Sequence, residues 1–293
     1  AGEAPRGLGD MSDAATMDST AWLGEALGDL YTRDTLTGMA YPLSCLRERL
    51  GPIRPSRLII IGGKPGQGKT SYALAWYLQL LEHHRPAFLS LEMSKEYLWE
   101  KCAAAKTGIP GWKFERGIFD DADKEKIAVF VDWWASRKPL FADDLGFNAH
   151  LVEAFLTKEK PDIVFLDHIQ MAELDQYKSE REGIRDQLYE WRRLTQKYKI
   201  PIVLVSQVNE KESAKRNDPR PRNEDLFGSS VLNRIADLIL LVWWPAKETP
   251  YDEQLPADAT KYFVGITKNR YGETRGVKMN FYADVNRFEE VHG

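Results

Sequence analysis

Cysteine is scarce in this chain: 293 residues hold two, Cys45 and Cys102. Two thiols cannot build the disulfide framework of a small secreted domain, which points to a reducing compartment. Long apolar runs are missing too. No stretch approaches the ~20 residues that span a bilayer, and no basic start followed by an apolar block marks a secretory leader. These absences set aside membrane and secreted classes, and the expectation is a soluble, cytoplasmic protein with no membrane partner. Charge of one sign is also lacking: 40 Lys and Arg stand against 44 Asp and Glu, a net −4. That excludes a wholesale basic binding mode but leaves room for a local basic patch. Neither internal repeats nor low-complexity tracts occur.

What is present is an ordinary globular composition, 43% hydrophobic, at a length that suits one large α/β domain or two small ones. Residues 1–10 read as a tag remnant ahead of a native start at Met11, and 1–18 as disordered. From Thr20 onward Leu23, Ala26, Leu27 and Leu30 recur at helical spacing. That helix, in an arm spanning 19–50, packs either on its own domain or on a neighbouring subunit. The remainder, 51–293, reads as one domain.

Within it, apolar runs bounded by breakers predict buried strands at 57–62, 87–91, 163–166, 202–205 and 238–243. Continuous rather than alternating hydrophobicity suits strands covered on both faces of a parallel sheet. Helical patterns lie between them. Lys69–Leu81 is apolar nearly all round; Ile127, Phe130, Val131 and Trp134 share one face; Ile184, Leu188, Trp191, Leu194 and Tyr198 form a long amphipathic stripe. Cys102 falls in an apolar helical stretch, where a free thiol acts as a small hydrophobe. The tail differs: 262–267, 277–282 and 287–291 read as antiparallel strands joined by short turns. The expected fold is therefore α/β, a mostly parallel central sheet flanked by helices, with antiparallel strands at its C-terminal edge.

Gly63-Lys64-Pro65-Gly66-Gln67-Gly68-Lys69-Thr70 fits G-x-x-x-x-G-K-S/T. It follows a predicted strand and opens a predicted helix, the context such a phosphate loop requires. Glycines let successive N–H groups converge on phosphate oxygens, and the helix N-terminus behind them adds partial positive charge. Lys69 would reach the β- and γ-phosphates, and the Thr70 hydroxyl would ligate Mg²⁺. Gly63, Pro65, Gly66, Gln67, Gly68, Lys69, Thr70 and the adjoining Ser71 are thus the candidate nucleotide-binding residues, with ATP and Mg²⁺ as ligands.

Other polar residues end other predicted strands. Asp167 closes Ile163–Leu166 and can hold Mg²⁺ directly or through water; ligands in open parallel sheets sit beyond the carboxyl ends of strands. His168 beside it reads as a hydrogen-bonding neighbour. Glu92 can orient or deprotonate an attacking water. Gln207 can sense the γ-phosphate and report it to a loop. Each alone could be a simple cap; together at the ends of one sheet they make a hydrolysis site.

In this order the strings resemble the RecA-like motor domain of DnaB-family replicative helicases. The matching stretches are the P-loop, S-L-E-M-S at 90–94, F-L-D-H-I-Q at 165–170, V-S-Q-V-N at 205–209, D-L-F-G-S-S at 225–230 with A-D at 236–237, and K-N-R-Y-G at 268–272. They cover roughly 35–291. The resemblance implies a RecA-like P-loop NTPase in which Glu92 is the catalytic base, Asp167 the Mg²⁺-linked acid and Gln207 the γ-phosphate sensor. It further implies that Lys268 and Arg270 act in trans on the ATP of the adjacent subunit; the residues alone would read as a solvated turn. A cation arriving in trans stabilises transition-state charge and is worth ~10³–10⁵ in rate.

Two features depart from the family pattern. The amino-terminal collar of bacterial DnaB has no counterpart, whether by truncation or because this is a short form. The DNA-facing loop, D-L-R-E/G-S-G in the family, here reads Asp225-Leu226-Phe227-Gly228-Ser229-Ser230. Phe227, next to Gly228, could stack on bases for ~1–3 kcal/mol each or could be buried. Lys211, Lys215, Arg216, Arg220 and Arg222 oppose only Glu212 and Asp218 over 211–222, which favours contact with single-stranded phosphates over an idle solvated loop. Residues 170–185, of mixed charge, could join it. The expectation is an ATP-driven DnaB-type helicase or translocase on single-stranded DNA in replication, working as a hexameric ring. The alternative is a RecA-like DNA-binding ATPase (a filament protein, recombination mediator or loader) without unwinding activity.

Overall fold

Nine strands form one sheet among the described residues of this computed structural model, which are 39–90, 92–143, 149–167, 180–208, 216, 218–249, 253–254, 256 and 258–291. The expected helix at 20–30, His168, Lys211 and Lys215 lie outside them, as do 170–179 of the second loop.

The strands are β1 (Leu58–Gly63), β2 (Pro86–Ser90), β3 (Leu140–Ala142), β4 (Ile163–Asp167), β5 (Ile202–Gln207), β6 (Leu238–Trp243), β7 (Lys261–Asn269), β8 (Gly276–Tyr282) and β9 (Arg287–Glu290). Their order is β3-β2-β4-β5-β1-β6-β7-β8-β9. Pairing is parallel from β3 to β6 and antiparallel from β6 to β9. This is the expected α/β fold, with its antiparallel strands at the C-terminal end. The additional short strand β3 was not anticipated; three residues carry too little pattern to read.

The helices are α1 (Ser44–Leu50), α2 (Lys69–Leu80), α3 (Lys95–Thr107), α4 (Gly111–Arg116), α5 (Asp121–Arg137), α6 (Ala149–Glu159), α7 (Glu180–Tyr198) and α8 (Ser229–Ile235). Local chemistry sets several boundaries. The Ser94 hydroxyl accepts the Tyr97 amide at 3.3 Å to start α3, and Gly108 ends it with φ +72°, a left-handed value that suits glycine. Asp120 and Asp123 form a reciprocal capping box at the start of α5.

Successive residues of each central strand feed opposite faces. Ile59, Ile61, Val203, Val205, Leu240 and Val242 enter one core with α2 and α3. Leu58, Ile60, Leu204 and Leu241 enter the other with Leu188 and Trp191 of α7 and Leu232 of α8. Helix α2 lies between the sheet and α3, which explains its apolar circumference. Cys102 is buried in the first core, as expected of a small hydrophobe. No helix of the described residues is long and apolar enough to cross a membrane.

The expected boundary between an arm at 19–50 and a domain from 51 falls inside packed structure. Met39 pairs with Ile53 through a 2.8 Å amide bond. Tyr41 is 1% exposed, meets Trp76 of α2 edge-on at 5.0 Å and accepts the Gln79 amide on its carbonyl at 3.2 Å. The Ser44 hydroxyl donates to Glu290 of β9 at 2.6 Å. Residues 39–50 thus seal the first core rather than extend from it, a long-range contact that helical spacing does not encode. Accordingly Tyr41→Ala is expected to destabilise the fold by about 3–5 kcal/mol in urea unfolding; a change under ~0.5 kcal/mol, the surface-residue range, would mark this segment as detachable.

Candidate functional site

Strand β1 delivers its last residue into a tight space. A Cβ on Gly63 would stand 2.7 Å from Val242 Cγ2 and 3.1 Å from the Val242 carbonyl, so only glycine lets the chain pass β6. Gly66 and Gly68 then take φ of +72° and +77°, where a side chain is strained. The chain turns into α2 with its first amides facing the loop's hollow. Lys69 is buried, and its Nζ donates to the Lys64 carbonyl at 2.9 Å.

The loop is braced from behind. Gln67 is 3% exposed. Its Nε2 donates to Glu248 at 3.1 Å, its Oε1 accepts the Trp244 amide, and its carbonyl accepts the Tyr262 hydroxyl at 2.9 Å. Lys64 adds an ion pair to Glu248 at 2.9 Å. Gln67 and Gly63, both expected against nucleotide, therefore do not line the cavity with their side-chain positions; they shape the loop from its back. Pro65, Gly66, Gly68, Lys69, Thr70 and Ser71 do line it.

That cavity, about 220 Å³, also gathers Glu92, Met93, Lys101, Asp167 and Gln207. Register explains the convergence. Gln207 pairs with Gly63 across β5 and β1, and Asp167 pairs with Ser90 across β4 and β2. Ser90 Oγ accepts the Met93 amide at 3.0 Å, turning the chain beyond β2 so that Glu92 meets the cavity. Asp167 is 1% exposed. Lys101 of α3 is the residue that sequence reasoning missed. The available signal was a lysine three residues after buried Leu98, on the flank of an apolar helical stripe.

The donor set fits a nucleoside triphosphate. Two ammonium groups and the helix amides suit phosphate charge, and the Glu92 and Asp167 carboxylates line the same cavity, where a cation and a water would meet them. Among the described residues no group of three or more His, Cys, Asp or Glu could hold a metal alone. Mg²⁺ suits this arrangement, because it binds through one or two protein oxygens plus phosphates and water; Thr70 and Asp167, both at the cavity, would be those oxygens.

Lys268 and Arg270 are not in this cavity. Lys268 pairs with Ile239 on β6, whose neighbour Leu238 pairs with Ile59 of β1. Both cations therefore sit at the amino end of the parallel strands, while the phosphate loop lies beyond their carboxyl end.

The basic loop is tamer than its composition. Arg216 donates to buried Asp225 at 2.5 Å and pairs with Glu224 at 3.4 Å. Arg220 grips Asp218 at 2.9 Å and holds its carboxyl down to about 2, and Arg222 faces Glu224 at 3.6 Å. Arg220 thus takes the Asp218 already counted in the run, whereas Arg216 and Arg222 find Glu224 and Asp225 beyond it, so the expectation that the run is opposed only from within is corrected for these two. Phe227 packs half-buried against the second core. Its amide donates to the Gln207 carbonyl at 3.2 Å. Gly228 (φ +71°) opens α8, and a Cβ there would stand 3.2 Å from Ile184 of α7.

Comparisons with known proteins agree with this geometry. The profile of the DnaB-like helicase C terminal domain family matches residues 38–290. The replicative DNA helicase DnaB of Buchnera aphidicola is 24% identical over 263 residues, 87% of this chain and 56% of that protein. The DnaB of Haemophilus influenzae is 24% identical, over 94% of this chain and 60% of that one. A probable plasmid replicative DNA helicase of Chlamydia trachomatis is 26% identical, over 80% and 50%. The chain thus spans about 50–60% of the length of these curated relatives. A solved ATPase domain superposes with TM-score 0.83 at 20% identity, covering 93% of this chain and 98% of that one. A DnaB-like replicative helicase, solved in a study of its interactions with primase, superposes with TM-score 0.82 at 21% identity, over 96% and 68%.

The bracing of the loop is testable. Gln67→Ala strands the Trp244 amide and leaves Glu248 with Lys64 alone of these two partners, at a cost of about 1–3 kcal/mol for the buried unsatisfied donor. Titration with a fluorescent ATP analogue should show a roughly tenfold loss of affinity, since ~1.4 kcal/mol is a factor of ten. Unchanged affinity would show that the back wall does not shape the loop.

Proposed function

Because the chain belongs to the DnaB-like helicase C-terminal domain family, we propose that it is an ATP-hydrolysing DnaB-type motor. In this reading it moves on single-stranded DNA during replication, in the cytoplasm, as a hexameric ring. One observation carries the proposal: Lys69, Thr70, Glu92, Asp167 and Gln207 meet in one cavity, while Lys268 and Arg270 stand at the opposite end of the same sheet. A hydrolysis site whose expected finger lies out of its own reach is half a site, completed by a neighbouring copy.

In this mechanism the loop amides, Lys69 and Lys101 bind the polyphosphate. Thr70 and Asp167 would hold Mg²⁺, which supplies charge neutralisation at the β- and γ-phosphates. Glu92 orients the attacking water and accepts its proton as the new P–O bond forms and the bond to ADP breaks. Lys268 and Arg270 meet the γ-phosphate of the adjacent subunit. Gln207 contacts the γ-phosphate with its side chain and bonds Phe227 with its carbonyl. Phosphate release is thereby transmitted to the segment ending at Gly228, whose Arg220 and Arg222 would contact DNA phosphates, as would Lys211 and Lys215 on the charge of their sequence alone. Gly228 gives this loop its turn into α8, and Arg216 serves as its internal strut on Asp225.

The packed Phe227 and the paired arginines favour a second reading, a RecA-like DNA-binding ATPase that loads or mediates without unwinding. ATPase rate measured with and without a single-stranded oligonucleotide, alongside solution mass in ATP and Mg²⁺, separates the two when joined to a strand-separation assay. The motor reading expects a ring-sized species, DNA-stimulated turnover and unwinding. Helical filaments with no unwinding would favour the second reading, and the absence of DNA-stimulated turnover would sink the first. Glu92→Gln should cut turnover by roughly 10²–10⁴-fold while still binding ATP; parental turnover would remove Glu92 from the base role.

A further inference from the structure

At the amino end of the parallel strands one buried carboxylate organises a cluster of cations. Asp237 is 1% exposed. Its Oδ2 accepts the amide of Leu58, the first residue of β1, at 3.0 Å and is bonded as well by Arg192 of α7. Arg192 is fixed in turn by the Ser56 carbonyl at 3.2 Å. The Asp237 Oδ1 forms an ion pair with the Arg270 guanidinium at 3.2 Å. The backbone repeats the connection: the Arg270 amide donates to the Asp237 carbonyl at 2.9 Å.

Helix α8 supplies the remaining grip. Arg270 Nη2 donates to the Arg234 carbonyl at 3.0 Å, and Lys268 Nζ donates to the Asn233 carbonyl at 2.6 Å. Burial, and then the Arg270 charge, lower the Lys268 pKa from its ordinary value. Two cations, Arg192 and Arg270, pair with the one carboxylate, and Lys268 stands near enough for the Arg270 charge to act on it, so the cluster keeps an excess of positive charge. Arg270 remains 41% exposed, able to meet an anion brought by another molecule.

We propose that Asp237 is the positioning residue for the trans-acting cations. This inference rests on the assignment of Lys268 and Arg270 to the neighbour's nucleotide. Locked on one side by β1 and Arg192, the carboxylate is a fixed pivot. It orients Arg270 directly, and it anchors the turn at the end of α8 whose carbonyls hold Lys268. A preorganised cation costs no reorganisation when charge develops, whereas a misplacement of about 1 Å can cost ~10²-fold in rate. Helix α8 starts directly after Gly228, and Phe227 is tied to Gln207. The same short helix therefore connects a subunit's own phosphate sensor to the cations it lends.

The test uses the full chain with ATP, Mg²⁺ and a single-stranded oligonucleotide. Asp237→Asn keeps size and an acceptor but removes the charge. Its homo-oligomers should lose roughly 10²-fold in kcat, with KM within about threefold of the parent. Mixed with Lys69→Ala, which has a dead loop but intact cations, activity should recover, because an intact cavity then faces intact cations. Arg270→Ala mixed with Lys69→Ala is the control. If neither mixture recovers, the trans assignment itself fails. If only the Arg270→Ala mixture recovers, Asp237 acts within its own subunit and the inference is overturned. Since Asp237 is buried, Arg192→Gln is run in parallel; it unpins Oδ2 while leaving the carboxylate charged. Should Asp237→Asn not assemble, a kcat loss in Arg192→Gln that recovers on mixing supports the inference, and parental kcat overturns it.

Discussion

Parallel pairing of β1 between β5 and β6 is the constraint on which the rest of the structure depends. It places the phosphate loop at the centre of the sheet's carboxyl edge, with Gln207 in register beside Gly63. It aligns the amino edge with equal strictness, so that Asp237 can reach the first amide of β1. Since a one-residue slip would turn every core side chain to the wrong face, the two edges cannot shift independently. Chemistry at one edge and cation placement at the other are thereby held by the same ladder.

Much of this was legible in the sequence because the central strands are buried on both faces. Ile59-Ile60-Ile61, Val164-Phe165-Leu166 and Leu238 to Val242 have no polar interruption, and the first two are followed by Gly62 and Asp167, a change of character that marks the strand end. The parallel core, its antiparallel flank and the gathering of Glu92, Asp167 and Gln207 follow from that pattern. Lys101 was not legible in the same way. On a helix its neighbours are three or four residues away, and only the fold tells which flank faces the loop.

What local pattern leaves out is pairing across sequence distance. Gln67 sits inside a nucleotide-binding string, yet its side chain is spent on Trp244 and Glu248, some 180 residues away by chain. Arg216 belongs to a basic run, yet its partner Asp225 lies beyond that run in the chain. Residues 39–50 looked like an arm, yet Tyr41 closes over Trp76. Periodicity reports which face is apolar; it does not report what meets that face.

The Tyr262 hydroxyl on the Gln67 carbonyl carries a lesson about modularity. Strands β7 to β9 have the look of an annex, appended antiparallel to a finished parallel sheet. Yet that hydroxyl, with Phe281 packed against its ring at 5.5 Å, forms the wall against which the phosphate loop is moulded. The last thirty-odd residues are therefore not trimmable decoration. Any natural or designed shortening that removes them takes away the mould, so β7 to β9 belong to the same structural unit as the loop at the far end of β1.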